Sequence, residues 1–154
     1  MRRLSPRGDD ALCKLTMAEH LFVYGTLQPE HVPPEIAPAI RCLQEVGRGH
    51  VRGRLYDLGD YPGAVLDPSA ETPVHGRVFA LPDDPAVLSA LDAYEGFDPA
   101  DPTRGFFSRT RTRVQLSDGH QIEAWMYAYN RNPRGARLIT DGHYRGTTNT
   151  QRQP

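Results

Sequence analysis

A chain of 154 residues favours one domain with room for a sizeable core, and a formal net charge of -1 gives none of the basic footprint that nucleic-acid binding needs. No run approaches the ~20 apolar residues of a membrane span, and the arginine-bearing N-terminus has no apolar stretch of the secretory kind. Cys13 and Cys42 are too few for a disulfide framework or a zinc site, so cytoplasmic residence is expected. In chain order, residues 1–18 are polar and aperiodic and read as a flexible N-terminal extension, with Met17 an alternative start. Leu21-Phe22-Val23-Tyr24 is an apolar strand. It ends in Gly25-Thr26-Leu27, where glycine permits positive φ or close backbone approach, and successive amides can converge into an anion-binding nest.

The prolines at 33 and 34 suit a helix entry, and Ile36, Ile40 and Leu43 follow at helical spacing, interrupted by Pro38; a short or bent helix ending near Leu43 is expected. Glu45 to Leu58 is strand-forming, with Gly47, Gly49 and Gly53 as bulge or coiling points. A turn through Tyr61-Pro62-Gly63 leads to a short strand, Ala64 to Leu66. The next strand, Val74 to Leu81, places Val74, Val78 and Ala80 on one face and His75, Arg77 and Phe79 on the other.

Asp83-Asp84-Pro85 is a helix start, and Gly96 a natural stop after Ala86 to Glu95. Leu88, Leu91 and Glu95 share a face, which puts a carboxylate on the buried side of a helix's last turn, where the dipole disfavours negative charge. Phe106 to Val114 alternates as a strand, Ser117-Asp118-Gly119 turns, and Gln121 to Tyr129 returns as its hairpin partner. The arginines at 48, 52 and 54 and at 109, 111 and 113 alternate within strand-like segments and read as solvated sheet faces. Residues 145–154 read as a disordered tail.

The six histidines include no helical i,i+4 pair and no HExxH, and the chain has no Walker sequence, GxGxxG or Gly-x-Ser-x-Gly elbow. No metal, nucleotide cofactor or serine nucleophile is therefore expected. Glu95 stands out among the polar residues. Its alternatives are a solvent-facing carboxylate or a partner for an arginine such as Arg109. Asp92 reads as a surface residue, Tyr127 as core, and Tyr24 and Tyr61 equally as packing or site residues.

Several motifs together resemble the γ-glutamylcyclotransferase-like (AIG2-like) superfamily: Tyr24-Gly25-Thr26-Leu27, Gly53-Arg54-Leu55-Tyr56 followed by Tyr61-Pro62-Gly63, Val74-His75-Gly76, Leu91-Asp92-Ala93-Tyr94-Glu95-Gly96, Ala124-Trp125-Met126-Tyr127, and a closing Ile139 to Tyr144. The resemblance spans about residues 21–144. It implies an α+β fold, a small mixed β-barrel with flanking helices over residues 19–144, and a cavity beside the first strand's bend. It further implies a cofactor-free cyclotransferase that releases 5-oxoproline from a γ-glutamyl amino acid or γ-glutamylamine. Glu95 would be its general acid/base, and Tyr24, Gly25, Thr26, Leu27 and Tyr61 would bind substrate. Thr26 and the short chain lean towards the γ-glutamylamine type.

The chemistry is coherent with the residues, because a γ-glutamyl substrate carries its own nucleophile and needs only folding and one base. Burial would raise the Glu95 pKa. One departure is Phe107-Ser108-Arg109, where family members often carry Tyr-x-Arg. A non-catalytic small-molecule or interaction module on the same barrel is the alternative, favoured if Phe107 or the N-terminal extension plugs the cavity. The expected partner is a small molecule, with neither nucleic acid nor membrane involved, and the sequence leaves the oligomeric state open.

Overall fold

The computed structural model describes residues 19–28 and 31–146; the N-terminal extension expected over 1–18 and most of the expected tail lie outside them. Among the described residues, seven strands and two helices run in the order β1 (His20–Val23), α1 (Ala37–Arg41), β2 (Gln44–Asp57), β3 (Pro62–Leu66), β4 (Pro73–Ala80), α2 (Pro85–Glu95), β5 (Phe107–Leu116), β6 (Gln121–Tyr129) and β7 (Arg137–Leu138). The sheet order β2-β4-β1-β6-β5 closes on itself because β5 also pairs with β2, at Gly49↔Leu116 and His50↔Gln115. This is a closed barrel of five strands, mixed because β1 runs parallel to β6 and antiparallel to β4. The far half of the long β2 leaves the barrel and pairs with β3 and β7.

Strand alternation makes two cores. Phe22, Val51, Val74, Val78, Val114, Ala124 and Met126 fill the barrel. Leu21, Val23 and Phe79 point outward from β1 and β4, yet are buried beneath Ile36 and Ile40 of the α1 region and Val87 and Leu91 of α2. So β4 buries both faces at this end: Val78 lies inside the barrel and Phe79 under the helices.

The β2 bulge expected from its glycines is a register shift between Glu45 and Gly47. The β5–β6 hairpin turns at Gly119, whose φ of 99° is left-handed. The first helix is shorter than its apolar spacing suggests. It spans only Ala37–Arg41, with Pro38 in its first turn, where a missing N–H costs nothing, rather than interrupting it. The second helix starts as expected: the Asp84 side chain accepts from the Ala86 N–H at 3.0 Å, and Pro85 opens the first turn. It stops at Gly96, in the left-handed region at φ 74°.

Gly76 shows how tightly β4 meets β1. A Cβ there would lie 2.2 Å from the Val23 carbonyl oxygen and 2.8 Å from the Phe22 ring, so an alanine must push two paired strands apart. We expect Gly76→Ala to cost about 2–3 kcal/mol in urea unfolding. Gly47→Ala on β2, with nothing within 4 Å of the added carbon, should shift the midpoint little.

Candidate active site

The end of β1 and the last turn of α2 face each other across a cavity of about 430 Å³, within the usual range for a small-molecule site. Its wall takes Tyr24, Gly25, Thr26 and Leu27 from the bend after β1, Tyr61 and Pro62 from the turn before β3, and Tyr94, Glu95 and Gly96 from α2. Phe106 and Phe107 at the start of β5, Tyr127 of β6 and Asp60 beside Tyr61 add to it. All five residues expected to bind substrate, together with Glu95, therefore converge on one hollow.

The bend is held by the Gln28 N–H donating to the Gly25 carbonyl at 3.0 Å. Among the described residues, the N–H groups of Gly25, Thr26 and Leu27 donate to no protein acceptor. Three neighbouring donors on a cavity wall are thus available to an incoming anion or carbonyl oxygen. Gly25 does not adopt a positive φ. Its requirement for glycine is spatial, since a Cβ would lie 2.7 Å from the Pro62 ring. Burial raises the Tyr94 phenol above its usual range, and the nearby Thr26 side chain partly offsets that rise, so the bend and the helix end lie close together.

Tyr24 lines the cavity, but its hydroxyl is committed to the fold. It donates to the Tyr127 carbonyl at 2.6 Å and accepts from the Ala64 N–H at 3.1 Å, joining β1 to β6 and β3. Burial pushes its pKa far above the usual phenol range. Tyr61 sits at the rim, 36% exposed, edge-on to Phe107 with ring centroids 5.7 Å apart. Phe107 is packed into the wall and leaves the cavity open.

Glu95 makes no hydrogen bond or ion pair among the described residues. Burial in the cavity wall pushes its carboxyl up from the ordinary 4.5 to about 7. A carboxyl titrating there can both take and return a proton near neutrality. It does not pair with Arg109.

Arg109 instead grips Asp92, whose expected place at the surface is overturned: Asp92 is 6% exposed. Arg109 Nε donates to Asp92 Oδ1 at 2.8 Å and Nη2 to Oδ2 at 3.2 Å, and the Tyr127 hydroxyl donates to Oδ1 at 2.7 Å. The guanidinium lies over Trp125 at 4.3 Å and Phe97 at 5.4 Å, so this arginine is not part of a solvated face. The signal in the sequence was present but quiet. Asp92 lies four residues after Leu88 and three before Glu95, on the same inward stripe. Tyr94 and Phe106 were also missed as cavity residues. Among the described residues no group of three or more His, Cys, Asp or Glu could hold a metal.

Residues 21–146 match the protein family described as gamma-glutamyl cyclotransferase, AIG2-like. The chain is 36% identical over 124 residues to a gamma-glutamylcyclotransferase family protein of Citrobacter rodentium, covering 80% of this chain and 93% of that one. It is 35% identical to the Escherichia coli K12 family protein YtfP, covering 80% and 94%. Among solved structures, the E. coli ytfP solution structure superposes with a TM-score of 0.57 at 32% identity, over 80% of this chain and 94% of that one. A mouse AIG2-like protein superposes at 0.60 with 22% identity, over 75% and 80%, a likeness of fold alone.

Proposed function

The chain belongs to the gamma-glutamyl cyclotransferase, AIG2-like family, and on that premise we propose that it converts a γ-glutamyl amino acid or γ-glutamylamine to 5-oxoproline and the free amino acid or amine, with Glu95 as general acid/base. The observation that carries this reading is a carboxyl without a hydrogen-bond or ion partner among the described residues, lining a cavity whose opposite wall carries three N–H groups that no protein acceptor uses. Burial there pushes the carboxyl up to about 7.

The reaction needs no external nucleophile. The substrate's α-amine attacks its own γ-carbonyl carbon, closing a five-membered ring, and the carbonyl oxygen takes the electron pair. Glu95 removes the proton that the amine must shed and passes it to the leaving nitrogen. The γ-carbonyl–nitrogen bond then breaks, and the carbonyl reforms as the lactam. Nothing is oxidised and no water is consumed. Holding the chain folded in a near-attack geometry carries much of the acceleration, since effective molarities for such closures reach about 10⁵–10⁸ M. The N–H groups of Gly25, Thr26 and Leu27 serve the substrate carboxylate or the developing oxyanion. Gly25, Leu27 and the Tyr24 and Tyr61 rings shape the pocket around it.

Among the described residues no helix is long and apolar enough to cross a membrane, and a cytoplasmic small-molecule enzyme fits this reading. Incubation with a panel of γ-glutamyl amino acids and γ-glutamylamines, following 5-oxoproline by mass spectrometry, tests it. For the best substrate, kcat/KM should rise with pH through about 7 as Glu95 ionises. No release from any member of the panel would leave a binding module on the same barrel.

A further inference from the structure

Asp92 and Arg109 are absorbed neither by the proposed reaction nor by simple packing. A carboxylate one helical turn before Glu95, at a helix C-terminus, is electrostatically misplaced: it repels the catalytic carboxylate and opposes the helix dipole. In this fold it carries a bidentate guanidinium partner, which itself lies over the Phe97 and Trp125 rings and is thereby held in position. The Tyr127 hydroxyl binds the same carboxylate, and Tyr127 is also a residue of the cavity wall.

We propose that Arg109 is a positioning residue for Glu95: by clamping and neutralising Asp92 it anchors the last turn of α2 to β5 and β6 and shields Glu95 from a second negative charge. Among the described residues, the other titratable groups lining the cavity with Glu95 are phenols and one acid. Tyr24 and Tyr127 press from the barrel strands, Tyr94 from its own helix, and Asp60 and Tyr61 line the cavity from the turn before β3. The Tyr127 phenol feels all three charges: burial, Asp92 and Glu95 drive its pKa upward, and Arg109 opposes them. Arg109 is thus the cation whose removal would unmask Asp92 beside the cavity. The catalytic consequence rests on Glu95 acting as proposed above, but the charge arrangement can be read without substrate.

The test is the titration of the Glu95 side-chain carboxyl by carbon-13 NMR, its signal identified by its loss in Glu95→Gln. With Arg109→Gln, Asp92 stands unneutralised, and the midpoint should rise by about one pH unit. With Asp92→Asn, Arg109 is left as an unopposed cation and the midpoint should fall. The double variant should return towards wild type, and Arg109→Lys, which keeps the charge, should stay close to it. A purely structural role predicts otherwise: loosening either side hydrates Glu95 and lowers the midpoint in both single variants. Shifts in the same direction, or none, would overturn the proposal. If Arg109→Gln does not fold, a midpoint for Arg109→Lys well above wild type, or one for Asp92→Asn that does not fall, does so equally. Absence of turnover on every substrate would defeat the cyclotransferase reading while leaving these midpoints to decide the charge arrangement.

Discussion

Glu95→Gln is expected to lower kcat on the best γ-glutamyl substrate by about 10²–10⁴-fold, the usual worth of a positioned general acid/base, while ligand affinity stays within a few-fold of wild type. The amide matches the carboxyl in shape, so the cavity and its N–H donors persist, and the part of the acceleration that comes from folding the substrate survives. Residual turnover is therefore expected, and near-wild-type turnover would remove Glu95 from the mechanism. The same substitution should make the protein more stable in alkaline buffer. The folded carboxyl titrates at about 7 against an ordinary 4.5, so the folded state favours the protonated form. That contribution is fully present below the unfolded value and is lost as pH rises through the folded one. By about pH 8 the folded state bears roughly 3 kcal/mol for an ionised, buried Glu95. Glutamine never ionises. Thermal melts at pH 8 should favour the variant, and the difference should shrink towards zero near pH 4. Equal melting curves at both pH values would show that the carboxyl is not desolvated.

What could be read in advance followed from local chemistry. Asp84-Pro85 and Gly96 bracket α2 because a capping oxygen, a fixed φ and a left-handed glycine act within a few residues. The juxtaposition of the Tyr24–Leu27 bend with Glu95 was legible only through the joint pattern of motifs, since no periodicity connects residues seventy positions apart. Barrel closure was less legible for the same reason. It depends on two residue pairs between β2 and β5, Gly49↔Leu116 and His50↔Gln115, far apart in the chain. Asp92 was misplaced because an acid in a helix is ordinarily solvated. Its burial is decided by Arg109 and Tyr127, which arrive from strands formed later in the chain. Tyr24 shows a subtler limit. The residue lies at the cavity wall, but its hydroxyl is spent on the Tyr127 carbonyl and the Ala64 N–H, which only the folded register reveals.

Asp92→Ala should destabilise the fold by about 3 kcal/mol, on the order of 10 °C in melting temperature for a domain of this size. Three hydrogen bonds end on this one carboxylate, and its removal leaves the Arg109 guanidinium, with a side chain only 13% exposed, facing no anion. Breaking one side of a buried pair commonly costs about 3–5 kcal/mol, because the surviving charge has already lost its water. The lower end applies here, since Trp125 and Phe97 still face the cation. An exposed pair supplies the control. Arg111 and Glu123 approach only to 3.7 Å, with side chains 47% and 62% exposed, so Glu123→Ala should change stability by less than about 0.5 kcal/mol. Replacing both Asp92 and Arg109 by apolar residues should cost less than the two single changes added together, because no charge is then left stranded. If Asp92→Ala proved as mild as Glu123→Ala, the carboxylate would not anchor α2, and the helix end that presents Glu95 would have to be held by the Thr26–Tyr94 contact and the leucine face alone.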